Sequence, residues 1–131
     1  MNKRVLVVDD DGDVRELICR MLEREGYRAV SAKDGREALE TVGRLAPDLV
    51  ITDVVMPGMD GFAMLLELRD RAPGLETLVI SGGSRAGADA HLETARRLGA
   101  RAVLRKPFTR EEMLDAVRRA LSPRSCFETD S

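Results

Sequence analysis

Four stretches of the chain hold residues that could do chemistry together. "VVDDDGD" (7–13) runs two apolar residues straight into Asp9, Asp10 and Asp11. "DLVITDVVMPGMDG" (48–61) ends an apolar run at Asp53, and in "LRKPF" (104–108) Arg105, Lys106 and Pro107 follow another. Ser81 closes a fourth apolar run, "TLVIS" (77–81). Clustered carboxylates repel one another, and burying even one is costly unless a positive charge meets it. Carboxylates without Cys or His favour a hard, oxygen-loving cation, and Mg²⁺ suits a half-open site that keeps waters. Mg²⁺ beside a lysine and a hydroxyl is a phosphate site. An aspartate there can itself act as nucleophile and carry a phosphoryl group as an acyl phosphate. Each residue alone has an ordinary reading. An Asp after a strand commonly caps a helix, and Asp11 fits that role, with Asp13 favoured in the first turn by the helix dipole. A lone lysine is usually a solvated charge. Only the joint pattern raises the set above these readings.

The elements that must position these residues follow from periodicity. "RVLVV" (4–8), "YRAVSA" (27–32), "DLVIT" (48–52), "TLVIS" (77–81) and "RAVL" (101–104) read as short strands. Between them lie helical patterns. The first has a stripe of Val14, Leu17, Ile18, Met21 and Leu22 and ends at Gly26; the second is 34–45, with Ala38, Leu39 and Val42 inward, stopped by Pro47. "FAMLLELRD" (62–70) is a third and is closed by Pro73-Gly74; a fourth runs to about Leu98, with Gly99 as its cap. The last, 109–121, opens with Thr109 and Glu112 in capping-box spacing. "MPGMDG" (56–61) and "GGSRAG" (82–87) read as loops. Five strand–helix units predict a parallel sheet with helices on both faces. Such sheets bind ligands beyond the carboxyl ends of their strands. Asp9, Asp10, Asp53, Ser81 and Lys106 all fall on that edge. GGxxxG (82–87) lacks the lysine and spacing of a nucleotide loop.

Composition sets bounds. The 131 residues suggest one domain, and a net charge of −2 argues neither for nucleic acid nor for an acidic tail. Cys19 and Cys126 lack metal-type spacing, so a reducing cytoplasm is expected. No apolar run reaches the roughly 18 residues of a membrane span, and "MNKR" does not read as a signal peptide. Cys19 reads as a small packing residue, Cys126 as an exposed thiol and His91 as a surface side chain.

In this order the motifs "VLVVDDD", "DLVITDVVMPGMDG", "LVISG" and "LRKPF" resemble the receiver domain of two-component response regulators, over nearly all of residues 3 to 121. The resemblance implies an α/β, doubly wound, five-stranded parallel sheet of order 2-1-3-4-5, the flavodoxin-like (βα)5 fold, with residues 1–121 as receiver and 122–131 as a polar tail. It implies Asp53 as phosphoacceptor, Asp10 as a direct Mg²⁺ ligand, Asp9 assisting through water, and the Val55 carbonyl as a further ligand. Ser81 and Lys106 would contact the phosphoryl group, and Lys106–Pro107 would be cis. The implied partners are a sensor histidine kinase or histidine phosphotransfer protein, docking on the first helix (Arg15, Ile18) with Pro107 and Phe108, and a downstream protein target. No direct nucleic-acid or membrane binding is expected, and the chain is expected to be a monomer or a weak phosphorylation-dependent dimer. The arginines at 96, 97, 101, 105, 110, 118 and 119, interspersed with Glu93, Glu111, Glu112 and Asp115, read either as a solvated mixed-charge surface or as a docking or dimer face.

The chain departs from the family pattern in three places. Val103 stands where relatives often carry an aromatic ring. Val55 and Gly83 stand where relatives carry polar groups that influence the attacking water. Three glycines fall in "SGGSRAG". Two other functions compete: a haloacid-dehalogenase-like phosphohydrolase, which would need an Asp at position 55, and a receiver-like module that only binds partners. A receiver cut from a longer regulator is a further reading.

Overall fold

The apolar run near the N-terminus forms the buried strand β1 (Arg4–Val8) in the computed structural model, which describes residues 3–56, 59–82 and 85–123. Gly83, Cys126 and the middle of the loop at 57–58, each read from sequence above, lie outside the described residues. After β1 come α1 (Gly12–Arg24), β2 (Arg28–Ala32), α2 (Gly35–Leu45) and β3 (Leu49–Asp53). A two-stranded antiparallel ribbon follows, β4 (Val55–Met56) with β5 (Met59–Asp60). The chain continues through α3 (Gly61–Arg71), β6 (Glu76–Ser81), α4 (Arg85–Arg97), β7 (Ala102–Arg105) and α5 (Arg110–Leu121). The main sheet has the order β2-β1-β3-β6-β7, with every neighbouring pair parallel. Leaving the ribbon aside, this is the expected order 2-1-3-4-5.

Strand alternation sorts the core onto two faces. Val5, Val7, Leu49, Ile51, Leu78 and Ile80 pack with Ile18 and Leu22 of α1 and Met113 and Val117 of α5. Leu6, Val8 and Val50 face Ala38 and Val42 of α2 and Met64 and Leu68 of α3. Val54, Leu65, Val79, Leu92 and Ala95 fill the space under α3 and α4. Both faces of β1 and β3 are therefore sealed, and their polar ends can emerge only at the edge.

Helix ends follow the expected chemistry. Asp11 caps α1 by accepting from the Asp13 and Val14 N–H groups, and Asp34 caps α2 through Glu37 N–H. Thr109 and Glu112 form the full capping box on α5. Gly99 follows α4 at φ +99°, a conformation glycine adopts freely. Two expectations change. The stretch expected as the loop "MPGMDG" overlaps the ribbon, and α4 begins at Arg85, inside the stretch expected as the loop "GGSRAG".

Candidate functional site

Four strand ends meet at the carboxyl edge of the sheet. Asp9 follows β1, Asp53 ends β3, Ser81 ends β6, and Lys106 follows β7. Lys106 Nζ lies 2.6 Å from Asp53 Oδ2 and 3.3 Å from Asp9 Oδ2, so one ammonium bridges two carboxylates. Asp9 is 1% exposed and Asp53 6%. Burial pushes the Asp9 carboxyl above the ordinary carboxylate range, against the lowering influence of the Asp11 N–H and of Lys106. Burial alone would lower Lys106, but the Asp53 hydrogen bond and charge, with Asp9 behind them, outweigh it and hold the ammonium above the ordinary lysine value.

Local sequence builds this geometry. Asp9 Oδ1 accepts the Asp11 N–H at 2.9 Å, and Arg15 Nη1 of α1 donates to the Asp9 carbonyl oxygen at 2.7 Å. These bonds fix the turn that carries Asp9 into α1. The Lys106–Pro107 peptide bond is cis, as expected. After Asp53, Gly61 lets α3 begin directly against the backbone of Val54. A Cβ at position 61 would lie 2.5 Å from Val54 Cα. At Gly82 a Cβ would lie 3.1 Å from Lys106 Cδ, so the missing side chain makes room for the lysine stem.

The structure thus brings together Asp9, Asp53 and Lys106. Asp10 is exposed beside them, and Val55 opens β4 two residues after Asp53. Ser81 is fully buried, and its Oγ lies 3.1 Å from His91 Nδ1. Two readings are corrected here. His91 is not simply a surface side chain: it is half-buried, bonded to Ser81, and its ring centroid lies 6.0 Å from that of Phe62. Ile18 cannot serve a docking surface, because it is completely buried in the core. Its neighbour Leu17 is 52% exposed and, with Val14, Gly82, Lys106, Pro107 and Phe108, lines an open groove of about 470 Å³. Cys19 is half-buried and packs against the α1–α5 side of the core.

Among the arginines of the α4–β7–α5 face, Arg101 pairs with Glu76 at 2.6 Å, Arg97 with Glu93 at 3.4 Å, Arg119 with Asp115 at 3.1 Å, Arg110 with Glu25 at 3.3 Å, and Arg105 with Asp89. Most are exposed pairs and contribute little stability individually.

The donor set fits a hard dication. Mg²⁺ is commonly held by one or two carboxylates while keeping several waters. Asp9 and Asp53 supply two buried carboxylates and Asp10 an exposed one. Among the described residues no group of three or more acidic, His or Cys side chains is gathered closely enough to hold a metal by itself.

A family model described as the response regulator receiver domain matches residues 5–118, and the chain belongs to that family. It is 41% identical over 135 residues to the response regulator MprA of Mycobacterium ulcerans, covering 99% of this chain and 54% of that protein. It is 32% identical to sporulation initiation phosphotransferase F of Bacillus subtilis, covering 95% of this chain and 98% of that protein. Among solved structures, the chemotaxis response regulator CheY4 of Vibrio cholerae superposes with a TM-score of 0.82 at 30% identity, covering 92% of this chain and all of that one. The receiver domain of NtrX from Brucella abortus also gives 0.82, at 34% identity, covering 89% and 97%. The chain spans about half the length of the MprA proteins it matches. Receiver membership displaces the phosphohydrolase reading, which also lacked its second aspartate at Val55.

Proposed function

We propose that this receiver takes a phosphoryl group on Asp53 from a histidine kinase or histidine phosphotransfer protein, with Mg²⁺ bound, and signals through a protein target. The observation that carries this reading is the Lys106 ammonium bridging Asp9 and Asp53 at the sheet edge. A carboxylate oxygen of Asp53 attacks the phosphorus of a phosphohistidine. The new O–P bond forms as the P–N bond breaks, and the electron pair returns to the imidazole nitrogen, which takes a proton from solvent. Lys106 balances negative charge on the equatorial oxygens during transfer and on the acyl phosphate afterwards. When bound, Mg²⁺ would supply charge neutralisation at the transferring phosphoryl oxygens.

Asp10 is the direct metal ligand in this reading, together with Asp53 and the Val55 carbonyl. Asp9 acts through water, because its Oδ1 already accepts from Asp11 and its Oδ2 from Lys106. Ser81 bonds the phosphoryl group after transfer. The groove lined by Leu17, Pro107 and Phe108 is the docking surface for the phosphodonor protein. The receiver unit runs to Leu121. Its chemistry is confined to its own phosphorylation and dephosphorylation, its place is the cytoplasm, and it contacts no nucleic acid directly. Among the described residues no helix is long and apolar enough to cross a membrane.

Radiolabelled phosphohistidine donor tests the assignment. Wild type should take up label, and Asp53→Asn should take up none. Uptake by Asp53→Asn at the wild-type rate would refute it.

A further inference from the structure

The hydroxyl assigned to the phosphoryl group is committed elsewhere in this structure. Ser81 Oγ lies 3.1 Å from His91 Nδ1, linking the end of β6 to the middle of α4. The His91 ring also rests against Phe62 of α3, with the two planes inclined by 55°. Two other polar ties at α4 are of a different kind. Asp89 pairs with Arg105 in an exposed contact, and the Leu98 carbonyl beyond the helix end accepts from Arg69 of α3. Neither of these reaches the site. Val103 of β7, paired with Val79, is aliphatic and offers Ser81 no hydrogen bond through its side chain.

From this geometry we infer that His91 couples Ser81 to α4. The imidazole holds the hydroxyl while Asp53 is unmodified, and departure of the hydroxyl toward a phosphoryl group frees the ring and loosens α4. This inference rests on Asp53 as phosphoacceptor. A serine hydroxyl has a single proton to donate. If that proton goes to Nδ1, it is not available to a phosphoryl oxygen. If Nδ1 carries the proton instead, the ring donates to Ser81 and loses its acceptor when Ser81 moves. Under either tautomer, drawing Ser81 away leaves a half-buried ring nitrogen beside Phe62 without its partner, and that position becomes less favourable. The ring and the helix turn that carries it then shift together. Arg69 and the packing of Leu92 and Ala95 hold the C-terminal half, so the change falls mainly on the N-terminal half of α4.

The test uses hydrogen exchange of α4 in the full chain, with and without a small acyl-phosphate donor and Mg²⁺, and intact mass to report phosphoryl uptake. Two variants separate packing from hydrogen bonding. His91→Phe keeps a ring against Phe62 and removes Nδ1, while His91→Asn restores a polar atom near Nδ1 and removes the ring. In wild type, phosphorylation should speed exchange in the N-terminal half of α4 about two- to tenfold, the range set by one neutral hydrogen bond. His91→Phe should take up the phosphoryl group, show fast α4 exchange beforehand, and change little on phosphorylation. His91→Asn should recover part of the wild-type response. Exchange in His91→Phe identical to wild type in both states would overturn the coupling. A wild type that takes up no phosphoryl group, seen by mass, would overturn the parent reading and the coupling with it.

Discussion

Lys106 Nζ lies 2.6 Å from Asp53 Oδ2, although 53 positions separate the two residues in the chain. The contact closes the carboxyl edge of the sheet between β3 and the segment after β7. It also places a positive charge where carboxylates would otherwise face one another unbalanced. Lys106 therefore balances the two carboxylates in the metal-free protein, and in the proposed function the same ammonium would meet the phosphoryl group.

Replacing it tests that balance. Lys106→Met should lower stability at neutral pH by about 1–3 kcal/mol, the cost of leaving a buried acceptor without its partner. Urea denaturation without Mg²⁺ would measure this. The sign with pH follows from linkage. The folded pKa of Lys106 is raised, so its contribution is full below the unfolded lysine value of about 10.4 and is lost as pH rises through the folded value. The difference between wild type and Lys106→Met should therefore shrink in the alkaline limb. A constant difference there would argue against the bridge.

Asp9 has the opposite sign. Burial raises its folded pKa, so the ionised form is held unfavourably in the metal-free fold. Its contribution to stability improves as pH falls through the folded pKa toward the unfolded value, and is least favourable above that window. Asp9→Asn keeps an acceptor for the Asp11 N–H and removes the buried charge. It should raise metal-free stability at pH 7 by on the order of 1 kcal/mol, the low end for a poorly compensated buried polar group. Added Mg²⁺ should raise the melting temperature of wild type and raise that of Asp9→Asn less. A wild-type melting temperature indifferent to saturating Mg²⁺ would remove the metal from the account.

Gly61 allows no side chain. A Cβ there would lie 2.5 Å from Val54 Cα and 2.6 Å from the Val54 carbonyl oxygen, and backbone cannot move aside as a flexible side chain can. Gly61→Ala should destabilise by about 1–3 kcal/mol, in the range of overpacked interiors. Thermal unfolding would measure it.

Much of this was legible in the sequence because strands buried on both faces must shed their polar residues at one edge. The run of β1 into Asp9, of β3 into Asp53 and of β7 into Lys106 carries that signal directly. Helix caps were equally legible at Asp11 and Thr109, where a short side chain and the spacing to Glu112 are local features. What sequence could not supply is rotation and depth. The α1 stripe contained both Leu17 and Ile18, and only the docked helix decides that Ile18 is buried while Leu17 is exposed. Asp9 and Asp10 are chemically identical, and the turn into α1 decides which one meets Lys106. His91 gave no periodic cue on a mixed polar helix. Its bond to Ser81 depends on where α4 begins and how it lies against β6.

The exposed position of Leu17 makes a further test possible. Leu17→Glu, in the groove with Pro107 and Phe108, should slow phosphotransfer from a competent protein donor by about tenfold or more, as for a truncated interface anchor. The rate from a small acyl-phosphate donor should stay near wild type. Equal slowing with both donors would place the defect in the site and not in docking.

The central claim is that Asp53 carries the phosphoryl group, and borohydride trapping tests it most directly. Hydride reduces an acyl phosphate to the alcohol and converts the aspartate that bore it to homoserine. Wild type phosphorylated with Mg²⁺ and then reduced should yield homoserine at position 53, read by peptide sequencing mass spectrometry, with Asp9 and Asp10 unchanged. Homoserine at position 9 or 10, or none at position 53 in protein whose mass shows the added phosphoryl group, would contradict the account.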